Sequence, residues 1–209
     1  MKSRVGVFCS GSGTNLQALL DAEARGQLRA EIALVVSNRP SAFALERARQ
    51  AGKEAVCLKA KGFESEEAYV EALLGLLERH RITLICLAGY LKKLPASVVH
   101  AYAGRIINIH PGPIPEFGGP GMYGHRVHEA VIASKRRFSG PTVHFVDEEY
   151  DHGPTIAHVP VEVRPDDTPD SLAARVLKAE HDLYPRVVAA MAQGKIRWEG
   201  GRVVGSLDA

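Results

Sequence analysis

The sequence has little that would direct the protein to a membrane or out of the cell. No apolar run among its 209 residues approaches the roughly 20 residues that a membrane-spanning helix needs. Residues 1–5 lead directly into a strand-like segment, without the apolar core and small-residue cleavage site of a signal peptide. We therefore expect a cytoplasmic protein that does not bind membranes.

The sequence also lacks an excess of either charge. It has 26 basic and 24 acidic residues, for a formal net charge of +2, and no basic run denser than the Lys-Arg-Arg triplet at 135–137. Proteins that bind nucleic acid through its phosphates need a basic face. We therefore expect no nucleic-acid partner, and we interpret the triplet as a solvated turn.

Cysteine is scarce, and its spacing is not that of a metal site. Cys9, Cys57 and Cys86 lie in apolar runs without a Cys-x-x-Cys pair, which predicts reduced core thiols rather than a disulfide framework or a zinc site. His125 and His128 have the i, i+3 spacing of two metal ligands on a helix. A third ligand and a His-Glu-x-x-His motif are missing, so we expect no metal.

The sequence does contain a regular alternation of strand-like and helix-like segments. The predicted strands of the first half are 4–9, 31–36, 54–58, 82–88 and 105–109, and the predicted helices are 15–25, 42–51, 65–79 and 95–101. This alternation predicts right-handed βαβ units in an α/β protein with an open, mostly parallel twisted sheet and helices on both faces.

The pattern changes after residue 110. A loop with four prolines and five glycines at 111–124 precedes a predicted helix at 127–134 and predicted strands at 142–147 and 155–163. Thr168 and Pro169 begin a long helix to about residue 193, and 196–204 forms a predicted hairpin as a C-terminal antiparallel extension. Since no linker or repeat interrupts the chain, we expect a single domain over 1–209.

A glycine-rich loop, Ser-Gly-Ser-Gly-Thr-Asn at 10–15, joins the first predicted strand to the first helix. Unpaired backbone N–H groups and the helix dipole favour an anion there. Leu16 replaces the third glycine of a dinucleotide fingerprint, and no acidic residue follows the second strand to hold a ribose. The loop therefore fits a phosphomonoester better than a dinucleotide, and a tight turn without any ligand remains the alternative.

Three polar residues suggest a reaction site. Asn108 and His110 alternate along the fifth strand and therefore share one face, and Asp151 follows in a turn between two later strands. An amide and an imidazole can stabilise the oxyanion of acyl transfer, while a carboxylate can hold the imidazole protonated and accept a proton from an attacking amine. Each residue alone is as well explained by a structural role. Among the other histidines, we expect His144 and His181 to pack or bond locally.

Seven motifs occur in order along nearly the whole chain: Ser-Gly-Ser-Gly-Thr-Asn-Leu-Gln-Ala at 10–18, Leu-Glu-Arg-Ala at 45–48, Leu-Ala-Gly-Tyr-Leu at 87–91, Asn-Ile-His-Pro at 108–111, Val-His-Phe-Val at 143–146, Asp-His-Gly-Pro at 151–154 and Glu-His-Asp-Leu-Tyr-Pro at 180–185. In this order the sequence resembles the folate-dependent glycinamide ribonucleotide formyltransferase family of purine synthesis. The resemblance implies a Rossmann-like formyltransferase fold, with a phosphate-binding half over about 1–104 and a catalytic and folate-binding half over about 105–209.

The resemblance also implies roles for individual residues. The catalytic positions of the family match Asn108, His110 and Asp151. Its substrate-binding positions match Gly13, Thr14, Asn15 and Glu180. Its folate-binding positions match Leu91, Lys92, Lys93, Leu94, Ile106, Asn108, Val146 and Asp147.

The implied activity is transfer of a formyl group from 10-formyltetrahydrofolate to glycinamide ribonucleotide, without a metal. Both ligands are small molecules, and the sequence leaves a monomer and a homodimer equally open. Glu66 stands where many members carry an arginine near the folate glutamate tail, and Lys92 or Lys93 could supply that charge instead. Hydrolysis of the same folate, formylation of methionyl-tRNA and a non-catalytic binding module are the alternatives.

Overall fold

The computed structural model describes residues 2–207. Its strands are β1 (Ser3–Cys9), β2 (Ala30–Ser37), β3 (Ala55–Cys57), β4 (Leu84–Leu87), β5 (Ile106–His110), β6 (Phe138–Ser139), β7 (Thr142–Phe145), β8 (Thr155–His158), β9 (Val161–Glu162), β10 (Arg197–Glu199) and β11 (Arg202–Val204). Its helices are α1 (Thr14–Ala24), α2 (Phe43–Gln50), α3 (Glu66–Arg79), α4 (Ala96–Ala101), α5 (His125–Ala133) and α6 (Pro169–Ala192), with a 3₁₀ turn at Ala60–Gly62.

Seven strands form one sheet in the spatial order β3-β2-β1-β4-β5-β7-β8. The first five strands in this order run parallel, whereas β7 is antiparallel to both β5 and β8. The parallel strands alternate with helices along the chain, as the sequence predicts, because a parallel connection needs a crossover. The antiparallel strands follow the long loop, where the regular alternation of strands and helices ends.

Helices cover both faces of the sheet. Val5 and Val7 of β1 point to a core cluster that includes residues of α1 and α6, whereas Phe8 points to a second cluster with residues of α3 and α4. A strand that is buried on both faces has a nearly continuous apolar sequence. The sequences of β1, β2 and β4 show this pattern. The predicted fold class is confirmed.

The ends of several helices also follow the sequence signals. Ser65 accepts a hydrogen bond from the N–H of Ala68 at the start of α3, and Thr168 and Ser171 form a reciprocal capping box with Pro169 at the first position of α6. Gly200 and Gly201 have positive φ in the turn between β10 and β11, so the predicted terminal hairpin is confirmed.

The predicted single strand at 155–163 is wrong. It is divided into β8, which closes the main sheet, and β9, which pairs with β6 in a separate two-stranded sheet. Pro160 between them has no N–H for the ladder. Gly140 also approaches the chain here so closely that a Cβ would lie 1.9 Å from the carbonyl oxygen of Val159.

The thiols lie where the sequence predicts. Cys9 and Cys86 are buried and Cys57 is half-buried, and all three are free. Burial raises the pKa of Cys9 to about 12 and also raises the pKa of Cys86, so neither is a thiolate at neutral pH. Separately, no helix within residues 2–207 has the length and apolar character to cross a membrane.

Candidate active site

A cleft of about 720 Å³ opens where β1, β4 and β5 end, which is the usual ligand position in open α/β sheets. The loop after β5, the turn after β7 and the helices α5 and α6 complete its walls. Its polar and titratable lining includes Thr14, Asn15, Lys92, Lys93, Asn108, His110, His125, His128, His144, Asp147, Glu149, Asp151 and Glu180. Polar and titratable side chains from both the N-terminal and the C-terminal parts of the chain therefore line the cleft.

Asn108, His110 and Asp151 meet in this cleft. Asn108 donates from Nδ2 to Oδ1 of Asp151 at 3.3 Å, and Nδ1 of His110 lies 3.4 Å from Oδ2. Asn108 and His110 share one face of β5, as the spacing predicts. Asp151 is 43 residues away from Asn108 along the chain and reaches the same point through the β7–β8 turn.

The backbone of the turn and of the facing loop fixes Asp151. Asp151 has φ +51°, in the left-handed region that aspartate tolerates better than most residues. The N–H of Gly119 donates to its Oδ2 at 3.0 Å, and a Cβ at Gly118 would lie 2.8 Å from its Cβ. The loop at 111–124 thus packs directly against the carboxylate.

The electrostatic balance keeps Asp151 ionised. Burial alone would raise its pKa, but hydrogen bonding to His144, the charge of His110 and the Gly119 N–H together bring the pKa below its ordinary value. The carboxylate therefore stays charged at neutral pH despite being 10% exposed. It is the negative centre of the site.

His110 differs from the expectation. Its Nε2 lies 2.7 Å from the carbonyl oxygen of Phe117, which can only accept, so this nitrogen carries a proton. Burial is the larger influence and lowers the pKa of His110, although Asp151 and Phe117 oppose the shift. In the free protein, burial therefore outweighs the charge of Asp151 that we expected to keep the ring protonated. Nδ1, which faces Asp151, is the nitrogen left to accept a proton.

Sequence reasoning missed the part played by His144. It lies directly opposite Asn108 in the β5–β7 pair, so the two side chains share a face. Its Nδ1 donates to the carbonyl oxygen of Phe145 at 2.7 Å, and its Nε2 lies 3.1 Å from Nδ2 of Asn108 and 3.4 Å from Oδ1 of Asp151. His144 therefore orients both the amide and the carboxylate. The contact between His144 and Asn108 follows from the register of β5 against β7, and the sequence does not give that register.

The glycine-rich loop places the first turn of α1 at the cleft. Thr14 and Asn15 line the cleft, whereas Gly13 is not among its lining residues in the described chain. Gly13 has φ +73°, and a Cβ there would lie 2.7 Å from the Cβ of Ala44. Gly13 therefore has a conformational role, since it lets α1 begin close against α2, and its expected part in binding the substrate stays a prediction.

Asn15 joins this helix to Glu180 on α6. Its Nδ2 donates to Oε2 of Glu180 at 2.6 Å, and its own Oδ1 is buried with no partner among residues 2–207. Glu180 is 7% exposed, and burial raises its pKa to about 7, with Asn15 opposing the shift. At neutral pH this carboxyl group is therefore present in both protonation states.

Comparison with known proteins identifies the family. The model of the family described as formyl transferase matches residues 3–188. The chain belongs to the formyl transferase family.

Several relatives are named for phosphoribosylglycinamide formyl transfer. The chain is 40% identical to the chloroplastic phosphoribosylglycinamide formyltransferase of Arabidopsis thaliana, over 94% of this chain and 68% of that protein. It is 38% identical to the phosphoribosylglycinamide formyltransferase of Escherichia coli K12, over 91% of this chain and 88% of that protein. The crystal structure of glycinamide ribonucleotide transformylase 1 from Symbiobacterium toebii superposes with a TM-score of 0.89 at 37% identity, covering 98% and 94% of the two chains.

Most residues that the formyl transferase resemblance assigns to folate line one end of the cleft. Leu91, Lys92, Lys93 and Leu94 follow β4, and Val146 and Asp147 follow β7. Ile106 lies on the same face of β5 as Asn108 and His110 but is 1% exposed in the core shared with α3 and α4, and its expected contact with folate stays a prediction. Sequence reasoning did not name Leu87, Gly89 and Tyr90, which line the cleft before Leu91.

Two histidines of α5, His125 and His128, also line the cleft. His125 lies 3.8 Å from Glu129 and 3.6 Å from Asp170, and His128 is buried. No group of three or more His, Cys, Asp or Glu side chains within 2–207 is arranged to hold a metal ion. Sequence reasoning considered this pair only as metal ligands, whereas both line the cleft.

Proposed function

We propose that this member of the formyl transferase family is a folate-dependent phosphoribosylglycinamide formyltransferase of purine synthesis. It transfers the formyl group of 10-formyltetrahydrofolate to the amino group of glycinamide ribonucleotide, giving formylglycinamide ribonucleotide and tetrahydrofolate. The observation that carries the proposal is the meeting of Asn108, His110 and Asp151 in a cleft that also reaches the N-terminus of α1. The names of the relatives support the same activity.

The acceptor ribonucleotide binds at the end of the cleft formed by α1 and α6. Its phosphate lies at the N-terminus of α1, where unpaired N–H groups and the Thr14 hydroxyl favour an anion. Glu180, held by Asn15, hydrogen-bonds the middle of the ribonucleotide. A carboxyl group that is partly protonated near pH 7 can both donate and accept.

The folate binds at the opposite end. Leu91, Leu94 and Val146 provide apolar surface for its ring system, and Lys92 and Lys93 provide cations for its glutamate carboxylates. Both lysines are exposed at this edge of the cleft, whereas Glu66 lies in the first turn of α3 and is not a described lining residue. This is the arrangement expected if the lysines replace the arginine that other family members carry.

The reaction is a direct attack on the formyl carbon. The neutral amine of the ribonucleotide forms the new C–N bond, and the carbonyl electron pair moves to oxygen. The Asn108 amide stabilises this oxyanion, and such a donor typically contributes about 10²–10³-fold in rate. The His110 ring can donate to the oxyanion once Nδ1 has taken up the amine proton, because the proton on Nε2 is already donated to the Phe117 carbonyl oxygen. The amine gives its proton to the Asp151–His110 pair, in which Nδ1 of His110 is the vacant acceptor. The same proton passes to N10 of the folate as the C–N10 bond breaks.

One observation favours transfer over hydrolysis of the same folate. Hydrolysis needs only water as the acceptor, whereas the cleft extends beyond the catalytic residues to Thr14, Asn15 and Glu180. These polar groups have no use in hydrolysis. They are the expected features of a site that binds a second, phosphorylated substrate.

A single assay separates the candidates. The protein is incubated with folate carrying an isotopically labelled formyl group and with glycinamide ribonucleotide, and the products are identified by mass spectrometry. We expect the label on the ribonucleotide and none in free formate. Labelled formate formed without the ribonucleotide would indicate a hydrolase. Tight binding of both ligands with no product would indicate a binding module.

A further inference from the structure

The segment at 91–94, which follows β4, has little regular structure to hold it in place. All four of its residues line the cleft, and none belongs to a helix or a strand. Among their N–H groups, only that of Leu91 has an acceptor in the described chain, and this acceptor is the side-chain oxygen of Ser10 at 2.9 Å. Leu94, at the far end, is buried in the core shared with α3 and α4. The near end of the segment therefore depends on Ser10 for its position.

Ser10 is itself fixed from two sides. It follows β1 and is 1% exposed. Its hydroxyl donates to Oδ1 of Asn38, which follows β2, at 2.5 Å, so that a lone pair of the same oxygen accepts from Leu91. Since β2, β1 and β4 are neighbours in the sheet, this one hydroxyl joins the chain beyond the carboxyl ends of three adjacent strands.

The connection uses a side chain because the backbone ladder between β1 and β4 has already ended. The last pair in the register is Phe8 with Leu87. Gly89 then has φ +71°, a left-handed conformation that does not continue a strand. Ser10 bridges this turn, with its N–H donating to the carbonyl oxygen of Gly89 at 3.0 Å and its hydroxyl reaching Leu91 beyond it.

The hydroxyl of Ser10 acts on the cleft only through its neighbour. Ser10 is not among the described residues that line the cleft, whereas Leu91 lines it and is 39% exposed. Ser10 is also the first residue of the glycine-rich loop, whose Thr14 and Asn15 line the cleft beside α6. A single buried side chain thus connects the loop expected to bind phosphate with the segment assigned to the folate.

We propose that Ser10 is a positioning residue for the folate. Its hydroxyl fixes the backbone of Leu91, and with it the start of the 91–94 segment against which the folate binds. The inference rests on the proposed function, which assigns this segment to the folate. It gives the first residue of the glycine-rich loop a part in binding the formyl donor, in addition to the part that the loop is expected to have in binding the acceptor.

Ser10→Ala tests the proposal, since it removes the acceptor of Leu91 and preserves the backbone hydrogen bond to Gly89. We expect the KM for 10-formyltetrahydrofolate to rise about fivefold, the usual effect of losing one hydrogen bond. The KM for glycinamide ribonucleotide should change by less than about twofold. Amide hydrogen exchange at Leu91, measured by NMR, should become faster. An unchanged KM for the folate would overturn the proposal.

Asn38→Ala tests whether the two residues act together. It removes the acceptor of the Ser10 hydroxyl, which is then free to rotate, so the KM for the folate should rise in the same direction but by less. In the Ser10→Ala background, Asn38→Ala should add nothing to this KM, because the hydroxyl is already absent. Additive effects of the two replacements would contradict the proposed connection.

Thr83→Val is the matched control at the opposite end of the same two strands. Oγ1 of Thr83, before β4, accepts from the N–H of Arg4 at 3.0 Å and donates to the carbonyl oxygen of Arg4 at 3.1 Å. Thr83 is not among the cleft residues of the described chain. This variant should leave both KM values unchanged. An equal rise in the KM for the folate would mean that any loosening of β1 against β4 has this effect, and the proposal would fail.

Binding of the folate alone separates this proposal from the proposed function. In calorimetric titration with tetrahydrofolate and no ribonucleotide, Ser10→Ala should bind about fivefold more weakly than the parent protein. A parent protein that binds tetrahydrofolate but transfers no formyl group would contradict the function only. Equal binding by the parent protein and the alanine variant would contradict the role of Ser10.

Discussion

At the scale of single residues, the carboxylate of Asp151 is the group on which the proposed chemistry depends most. Asp151→Asn keeps the shape of the side chain and tolerates φ +51°, so the turn should be preserved. It removes the charge that supports protonation of His110 and the acceptor for the amine proton. We expect kcat to fall by about 10²–10⁴-fold with little change in Tm, measured by steady-state formyl transfer and thermal unfolding.

The control for this variant is Asp182→Asn. Asp182 is an exposed residue of α6 that pairs with Arg186 at 3.3 Å and does not line the cleft in the described chain. Its replacement should leave kcat unchanged. Near-parental turnover of Asp151→Asn would remove Asp151 from the proposed mechanism.

Glu180 makes the stability of the protein depend on pH. Its pKa in the folded state is about 7 and its ordinary value is 4.5, so the folded state holds a proton that the unfolded state releases between these values. The stabilisation is complete below pH 4.5 and is lost as the pH rises through 7. Over this range it amounts to about 3 kcal/mol in the free energy of unfolding.

Glu180→Gln removes this titration while preserving the acceptor for Asn15. Relative to the variant, the parent protein should therefore lose stability between pH 5 and pH 8, measured by urea unfolding at each pH. A parallel pH dependence of the two proteins would show that Glu180 does not titrate in this range.

Individual site residues could be predicted only where their chemistry is local in sequence. Asn108 and His110 share a strand face by spacing alone, and the family resemblance points to Asp151 in its turn. The contact of His144 with Asn108 depends on the β5–β7 register, which no local pattern specifies. Ile106 shares a face of β5 with Asn108 but is 1% exposed, because alternation along a strand gives the face of a side chain and not its depth.

At the scale of elements, the approach of α1 to α2 depends on a missing side chain. Gly13 has φ +73°, and a Cβ there would lie 2.7 Å from the Cβ and 2.8 Å from the Cα of Ala44. Gly13→Ala should therefore reduce the free energy of unfolding by roughly 1–3 kcal/mol and raise the KM for the ribonucleotide, since the start of α1 must shift. Urea unfolding and steady-state kinetics measure the two effects.

Gly11→Ala is the matched control in the same loop. A Cβ at Gly11 meets nothing within 4 Å, and Gly11 has no positive φ. Its replacement should change the free energy of unfolding far less than Gly13→Ala does. Equal losses from the two variants would show that the loop, and not the contact with Ala44, determines stability here.

The hydroxyl of Tyr184 links α6 to the catalytic strand. It lies 2.8 Å from the carbonyl oxygen of Leu87 and 3.2 Å from that of Ile107, the residue before Asn108. Tyr184 is fully buried. Tyr184→Phe leaves these carbonyl groups without their donor and should cost about 1–3 kcal/mol in urea unfolding. We also expect a lower kcat, because α6 and β5 carry residues of the same cleft.

Tyr102→Phe provides the comparison. The Tyr102 hydroxyl donates to the carbonyl oxygen of Ile82 at 3.3 Å, and Tyr102 does not line the cleft among residues 2–207. Loss of the Tyr102 hydroxyl should lower the free energy of unfolding less than Tyr184→Phe does, and it should leave kcat unchanged. If kcat falls equally in both variants, the effect of Tyr184 is a general loss of stability rather than positioning.

Elements were predictable where one strong local signal determined them. The Ser65 and Thr168 caps fixed two helix starts because a side-chain oxygen there satisfies a free N–H group. The division of the predicted 155–163 strand was not predictable, because it depends on the close approach of Gly140 from another part of the chain. Local propensity cannot report such a contact.

At the scale of the whole molecule, the alternation of strands and helices was enough to predict the sheet and its two covered faces. It was not enough to show how the two halves that the resemblance implies, about 1–104 and about 105–209, are joined. The structure places β5 between β4 and β7, so one sheet passes through both halves. Residues of α1 and α6 also belong to the same core cluster.

We propose that the two halves unfold as one cooperative unit, and the single tryptophan is placed to test this. Trp198 of β10 lies 5.1 Å from Phe145 of β7 between ring centroids, and a Cβ at Gly104 would lie 2.9 Å from the Cβ of Trp198. The tryptophan therefore contacts the end of the first half and the sheet of the second. Its fluorescence should change when either contact is lost, whereas far-ultraviolet circular dichroism reports the helices throughout the chain.

In urea, the two signals should give one midpoint and one slope, because a shared sheet and core cannot be exposed half at a time without breaking the β4–β5 pairing. A saturating ribonucleotide should raise this common midpoint, since its proposed site uses residues of both α1 and α6. A fluorescence transition at lower urea than the dichroism transition would instead mean that the C-terminal hairpin separates first, and that the halves are coupled only through the main sheet.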